Sequence, residues 1–255
     1  TNSIPTRCPL DVHRSVRRMY PPEVPVMLAG VSMGGLVATL AALDGNIEPD
    51  GLLLVAPLID VHLSPAMKAQ AAVGSVLARL VPHARITPGV EPSRLSKDTE
   101  AVREYTEDPL VFVGNIRVKL GYELLRGFTG MRRRWGEVRV PLLVLHGTED
   151  EATDPVASAR FVEAAGSVDK RFVSLKGACH LICHEAGAAR KVANEIKDFV
   201  VSRAKGAGEW AAEAQGGRGD RGVHANARAA RSTSMGGSSS MAGGEHAYAM
   251  RAARL

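Results

Sequence analysis

The residues with the most chemistry to offer stand at Gly30-Val31-Ser32-Met33-Gly34-Gly35, a serine with a glycine two positions to either side. A hydroxyl is a weak nucleophile unless the backbone presents it and a base sits beside it, and a G-x-S-x-G turn between a strand and a helix achieves the presentation. Small residues at positions 30 and 34 are expected to let strand and helix approach while Ser32 is held strained at the strand tip. The hydroxyl then lies at a helix N-terminus, whose dipole and free N–H groups favour a developing oxyanion. A base and an orienting acid must come from elsewhere in the chain. His146-Gly147-Thr148-Glu149-Asp150 and Gly177-Ala178-Cys179-His180 each follow an apolar run. Asp150 and His180 therefore fall just past the carboxyl ends of two predicted strands, the edge where parallel sheets build their sites. The expected chemistry is acyl transfer at Ser32, with His180 as base and Asp150 as its acid partner. Asp154 competes with Asp150 but is better used as the N-cap of the next helix. Glu149 and Glu151 read as solvent-facing loop charges.

The stretch Cys179-His180-Leu181-Ile182-Cys183-His184-Glu185 admits another reading, since two Cys and two His can hold zinc. A haem attachment needs C-x-x-C-H, and here one residue too many separates the cysteines. A zinc site would leave Ser32 and Asp150 unexplained. No metal or cofactor is therefore expected; His184 is read as a helix-start residue and the cysteines as small packing residues near the site.

Positioning such groups requires strands and helices in alternation. Val26–Ala29, Gly51–Val55, Val140–Leu145 and Arg171–Leu175 are short apolar runs bounded by Pro, Gly or polar residues, which suits parallel strands covered on both faces. Between them, Leu36–Leu43, Pro155–Ala165 (with Asp154 before Pro155) and Glu185–Arg203 read as helices. The implied class is α/β, with a doubly wound parallel sheet. Val24–Leu43 carries no charge over twenty residues and is nominally long enough to span a bilayer. Its prolines and glycines nevertheless divide it into strand, turn and helix, so no transmembrane segment is expected. Residues 58–136 interrupt the alternation with the apolar helical stretch Ala66–Leu80, a proline-marked loop and further helix. An insertion of that length is read as a cap over the site. Residues 1–205 then form the catalytic domain. From Gly206 to Leu255 there are ten Gly and thirteen Ala and no Ile or Phe, a composition expected to stay disordered for want of apolar surface to bury.

Composition narrows the partners. The formal net charge is +5, but aromatics are only 4% of the residues, and the Lys and Arg residues are scattered rather than gathered into a stacking surface, so nucleic acid is not expected. The one tight cluster, Arg132-Arg133-Arg134, reads as a solvated helix end. Three cysteines, Cys8, Cys179 and Cys183, do not make a disulfide framework and favour a reducing compartment.

Residues from about Asp11 to Ala204 resemble the carboxy-terminal two-thirds of a monoacylglycerol lipase-like alpha/beta hydrolase, of the serine aminopeptidase S33 or "hydrolase 4" group. The resemblance is carried by Val26 to Gly35, Leu52 to Leu58, Ser96 to Leu110 with Asp108-Pro109-Leu110, Pro141 to Asp150 with Asp154-Pro155, and Gly177 to His180. It implies Ser32 as nucleophile, Asp150 as acid, His180 as base, and a lipophilic cap that accepts an acyl chain. Members of the group attack carboxylic esters of monoacylglycerols or lysophospholipids, and plant relatives include phenolic-ester esterases. The resemblance implies a lipid ester substrate, for which peripheral membrane contact through the cap is a further expectation; the sequence does not fix a location, though a cytoplasmic or peripherally membrane-associated one is favoured. The chain departs from the group's pattern in one place. The His-Gly loop that supplies the second oxyanion-hole N–H does not precede Ser32, which leaves the Met33 N–H as the identifiable donor. The strands that carry that loop are expected upstream of the residues given, so the Val26–Ala29 strand should stand at an exposed edge. The rival expectations are an inactive fragment or binding protein of the same fold, and an esterase or peptidase of another substrate class.

Overall fold

The computed structural model describes residues 7–60 and 65–204. The Gly/Ala-rich stretch from residue 206 onward lies outside the described residues. Among the described residues, four strands form one wholly parallel sheet in the order β1 (Met27–Val31), β2 (Gly51–Val55), β3 (Leu142–Gly147), β4 (Lys170–Leu175). Helices pack on both faces of this sheet, the α/β arrangement the sequence leads one to expect. β2 and β3 are buried along their whole length, because helices cover both faces of the sheet. Alternate residues serve alternate faces. Leu52, Leu54, Leu142 and Val144 pack with Leu36 of α2 (Met33–Leu43) and Phe161 of α6 (Pro155–Ala164). Leu53, Val55, Leu143 and Leu145 pack with Val192 and Phe199 of α7 (Ala186–Val201). Each such side chain, fully buried, contributes about 1.5–3 kcal/mol.

The uncharged segment Val24–Leu43 divides as its glycines predict, into β1 and α2. Among the described residues no helix is long and apolar enough to cross a membrane. The helix begins at Met33 rather than after Gly35, so the glycine pair occupies its first turn. β1 pairs with β2 alone among the described residues, and Val31 is 58% exposed, an apolar edge of the kind the sequence leads one to expect. Helix α1 (Arg7–Met19) packs beside α2 through Leu10, Ala41 and Ile47.

The insertion between β2 and β3 comprises α3 (Pro65–Leu80), a 3-10 turn at Pro92–Arg94, α4 (Thr99–Glu107) and α5 (Val118–Arg132). Gly74 of α3 faces the ring of Tyr122 on α5, and a backbone bridge joins Thr87 to Ile116. The far end of α5 belongs to the main core, where Phe128 and Met131 meet Leu36 and Leu52. Two of the three arginines at its end have partners within the chain: Arg132 pairs with Asp60, and Arg134 binds Glu137 at 2.8 Å and the carbonyl of Leu43.

Candidate active site

Ser32 sits at the tip of β1 with φ 51° and ψ −123°, a backbone conformation costly for any residue but glycine. Three backbone hydrogen bonds hold it there. Its N–H donates to Val55 O at 3.1 Å, and its carbonyl accepts from Gly35 N at 2.9 Å and Leu58 N at 2.8 Å. The side chain makes no capping bond to α2, so the hydroxyl is not spent on the backbone. As first residue of α2, Met33 has an N–H with no partner one turn back.

The glycines around the turn correct the expectation drawn from the motif. A Cβ at Gly30 would stand 2.3 Å from Gly34 O, so position 30 must be bare. At Gly34 a Cβ would meet nothing within 4 Å, whereas at Gly35 it would stand 2.4 Å from the Cβ of Pro57. The steric need falls on positions 30 and 35, not 30 and 34. Strand and helix touch through the backbone of residue 34, while residue 35 is what β2's exit segment presses against.

Asp150 and His180 leave the carboxyl ends of β3 and β4 and meet at 2.7 Å, Oδ2 to Nδ1. Both are buried. Asp150 Oδ1 accepts the N–H groups of Ala152 and Thr153, each at 2.8 Å, and Oδ2 also faces His146 Nε2 at 3.0 Å and Thr153 Oγ1 at 2.8 Å. Burial alone would raise the Asp150 carboxyl. The hydrogen bonds from His146 and His180, the charge of His180 and the Thr153 amide outweigh it and hold the group well below the ordinary carboxylate range. Asp154 instead accepts Val156 N at 2.8 Å as the cap of α6. Among the described residues no hydrogen bond joins Ser32 to His180. The structure brings acid and histidine together and sets Ser32 and Asp150 on the wall of the same cavity.

That cavity has a volume of about 760 Å³. Ser32, Met33 and Asp150 stand on its wall, and the cap supplies apolar lining from Leu77, Ile86, Val118 and Leu125. Val73, by contrast, is 49% exposed and turned outward with Val76 and Leu80, so α3 presents two different apolar faces. The cap also grips the loop that carries the histidine. Leu95 O accepts both His180 N and Leu181 N at 3.0 Å, and Lys97 pairs with Glu149. The Glu185 carboxylate accepts Cys179 N at 3.1 and 3.2 Å and lies 3.4 Å from Ser96 Oγ. Glu149, expected as a solvent-facing loop charge, is exposed and is also half of a cap contact.

Cys179 is buried beside the site, and burial, with the Glu185 charge, pushes its thiol up, away from a thiolate role. Cys183 is exposed, which corrects its reading as a packing residue. Among the described residues no group of three or more His, Cys, Asp and Glu side chains is arranged to hold a metal. Sequence reasoning missed His146, Thr153 and Ser158. The signal was a histidine ending an otherwise apolar strand: Leu142, Val144 and His146 share the face toward α6, where Ser158 lies 2.9 Å from His146 Nδ1.

The family model described as "Serine aminopeptidase, S33" matches residues 10–187. Monoglyceride lipase of Rattus norvegicus and of Homo sapiens are each 30% identical over 195 residues, covering 76% of this chain and 64% of theirs. The chain therefore spans somewhat under two thirds of the length of these relatives. Among solved structures, a monoacylglycerol lipase from Paleococcus ferrophilus superposes with a TM-score of 0.67 at 27% identity, over 78% of this chain and 76% of that one.

Proposed function

The chain belongs to the serine aminopeptidase S33 family of α/β hydrolases, and from that premise we propose that it cleaves carboxylic esters of lipids, monoacylglycerols or lysophospholipids, through an acyl-enzyme on Ser32. In this reading Ser32 Oγ attacks the ester carbonyl while His180 Nε2 takes its proton. The imidazolium then returns that proton to the leaving alcohol, and a water repeats the sequence to release the acid. Asp150 accepts from His180 Nδ1–H, which fixes the tautomer that leaves Nε2 free to act as base. The oxyanion faces the Met33 N–H. Residues 1–205 act as the catalytic unit with the insertion as its cap. The outward apolar side chains Val73, Val76 and Leu80 support contact of that cap with a lipid surface.

The observation that carries the proposal is the strained serine on the wall of a largely apolar cavity that also holds Asp150. A fluorophosphonate probe should label Ser32 in the wild type and neither Ser32→Ala nor His180→Ala. A second reading, a binding protein of the same fold, is favoured by one feature: among the described residues no hydrogen bond joins Ser32 to His180, whose Nδ1 is turned to Asp150. Slow but His180-dependent labelling supports the hydrolase; no labelling supports the binding protein.

A further inference from the structure

Asp150 Oδ2 is crowded. His180 Nδ1, His146 Nε2 and Thr153 Oγ1 all lie within 3.0 Å of this one oxygen. The carboxyl is held in its ionised form, and an ionised carboxylate only accepts. Both ring nitrogens that face it must therefore carry protons. In the neutral imidazole Nδ1 is then the lone pair, and Ser158 Oγ, fully buried and 2.9 Å away, donates to it. The tautomer of His146 is set from both sides, by an acceptor on one nitrogen and a donor on the other. Three other charged groups of these loops are engaged elsewhere: Glu149 with Lys97, Asp154 with the start of α6, and Glu185 with the Cys179 amide.

His146 has no exposed surface, and its two ring nitrogens face Asp150 and Ser158. It does not reach substrate. We propose that His146 is a positioning residue for the histidine base: its Nε2–H, oriented by Ser158, pins Asp150 Oδ2 against His180 Nδ1. Without that N–H, the oxygen is held on its His180 side by Thr153 alone, and Oδ1 by backbone amides that allow the carboxylate to turn. The inference rests on the triad reading above and adds a fourth member behind it.

The test has two arms on the full chain. In the first, kcat and KM for a soluble ester are measured for His146→Gln, which keeps an N–H donor at that reach, and His146→Leu, which has none. We expect His146→Gln to stay within a few-fold of wild type and His146→Leu to lose between about tenfold and a hundredfold in kcat with KM little changed. In an Asp150→Asn background His146→Leu should add less than about twofold, because the group it positions has gone. Equal losses in both backgrounds, or equal losses for Gln and Leu, would overturn the proposal in favour of a packing role. The second arm needs no turnover. The downfield proton on His180 Nδ1, observed by NMR, should persist in His146→Gln and vanish or broaden in His146→Leu; its persistence unchanged in a folded His146→Leu overturns the proposal. Should the wild type prove inert to ester and probe alike, the hydrolase reading fails, while this arm still decides whether His146 holds the pair.

Discussion

Alanine placed at Gly30 and at Gly34 should move the protein in opposite directions, although both glycines belong to the same motif. A Cβ at Gly30 would lie 2.3 Å from Gly34 O, 2.5 Å from Gly34 C and 2.7 Å from Gly35 N. All three are backbone atoms of the turn that carries Ser32, so no side chain can rotate away and β1 must part from α2. Overpacking a core costs about 1–3 kcal/mol where side chains can adjust. With backbone as the obstacle we expect about 3 kcal/mol or more, or roughly 6–12 °C in Tm for a domain of this size. A displacement of the serine by ~1 Å is worth about 10² in rate. At Gly34 the added methyl meets nothing, and the residue is the second of α2. There alanine removes backbone entropy from the unfolded chain and favours the helix, a gain of about 0.5–1 kcal/mol. Paired thermal melts and fluorophosphonate labelling rates decide the matter. Comparable destabilisation by the two substitutions, or wild-type labelling in Gly30→Ala, would refute the steric account of the turn.

Further expectations concern the acid, the cavity and pH. Asp150→Asn should cut ester turnover by orders of magnitude, while Asp154→Asn, which keeps a competent N-cap, should leave it within a few-fold; the reverse pattern would reassign the acid. Leu77→Gln should weaken kcat/KM for long-chain esters at least about tenfold more than for short-chain ones, since each methylene in an apolar site is worth about 0.8 kcal/mol. Val73→Ser, on the outward face of α3, should leave that ratio unchanged for soluble esters, and a matching shift from both variants would mean the cap acts only through stability. The Asp150 carboxyl lies below its ordinary value of 3.8. Its contribution to stability is then complete above that pH and is lost as pH falls toward the depressed value. Wild type should accordingly lose Tm relative to Asp150→Asn below about pH 4, and a constant difference between pH 6 and 3 would contradict the hydrogen-bonded carboxylate.

The sheet was legible because β2, and β3 as far as Leu145, carry no polar side chain, a pattern that two covered faces explain, and because Pro and Gly mark where each strand stops. Ser32 was legible for a local reason, its spacing from Gly30 within a strand–turn–helix. The pairing of Asp150 with His180 was reachable through topology, since adjacent parallel strands deliver their exits to neighbouring places. What escaped the sequence was set by contacts between distant segments. Gly35 looks less constrained than Gly34 until the path of Pro57 is known, and Ser158 looks like any helix residue until His146 turns toward α6. Leu95 has no chemistry of its own, and only the fold shows its carbonyl beneath the histidine loop.

That carbonyl has a thermodynamic consequence. Because Leu95 O accepts the amides of both His180 and Leu181, the loop between the cap helices and the loop of the base share one degree of freedom. Whatever orders the first orders the second, and the coupling energy is the same read in either direction. For the ester hydrolase proposed above, affinity gathered along an acyl tail deep in the cap is delivered at the imidazole rather than retained as tighter ground-state binding. Shortening the tail should then lower kcat as well as raise KM, even though no tail atom approaches the reacting carbonyl.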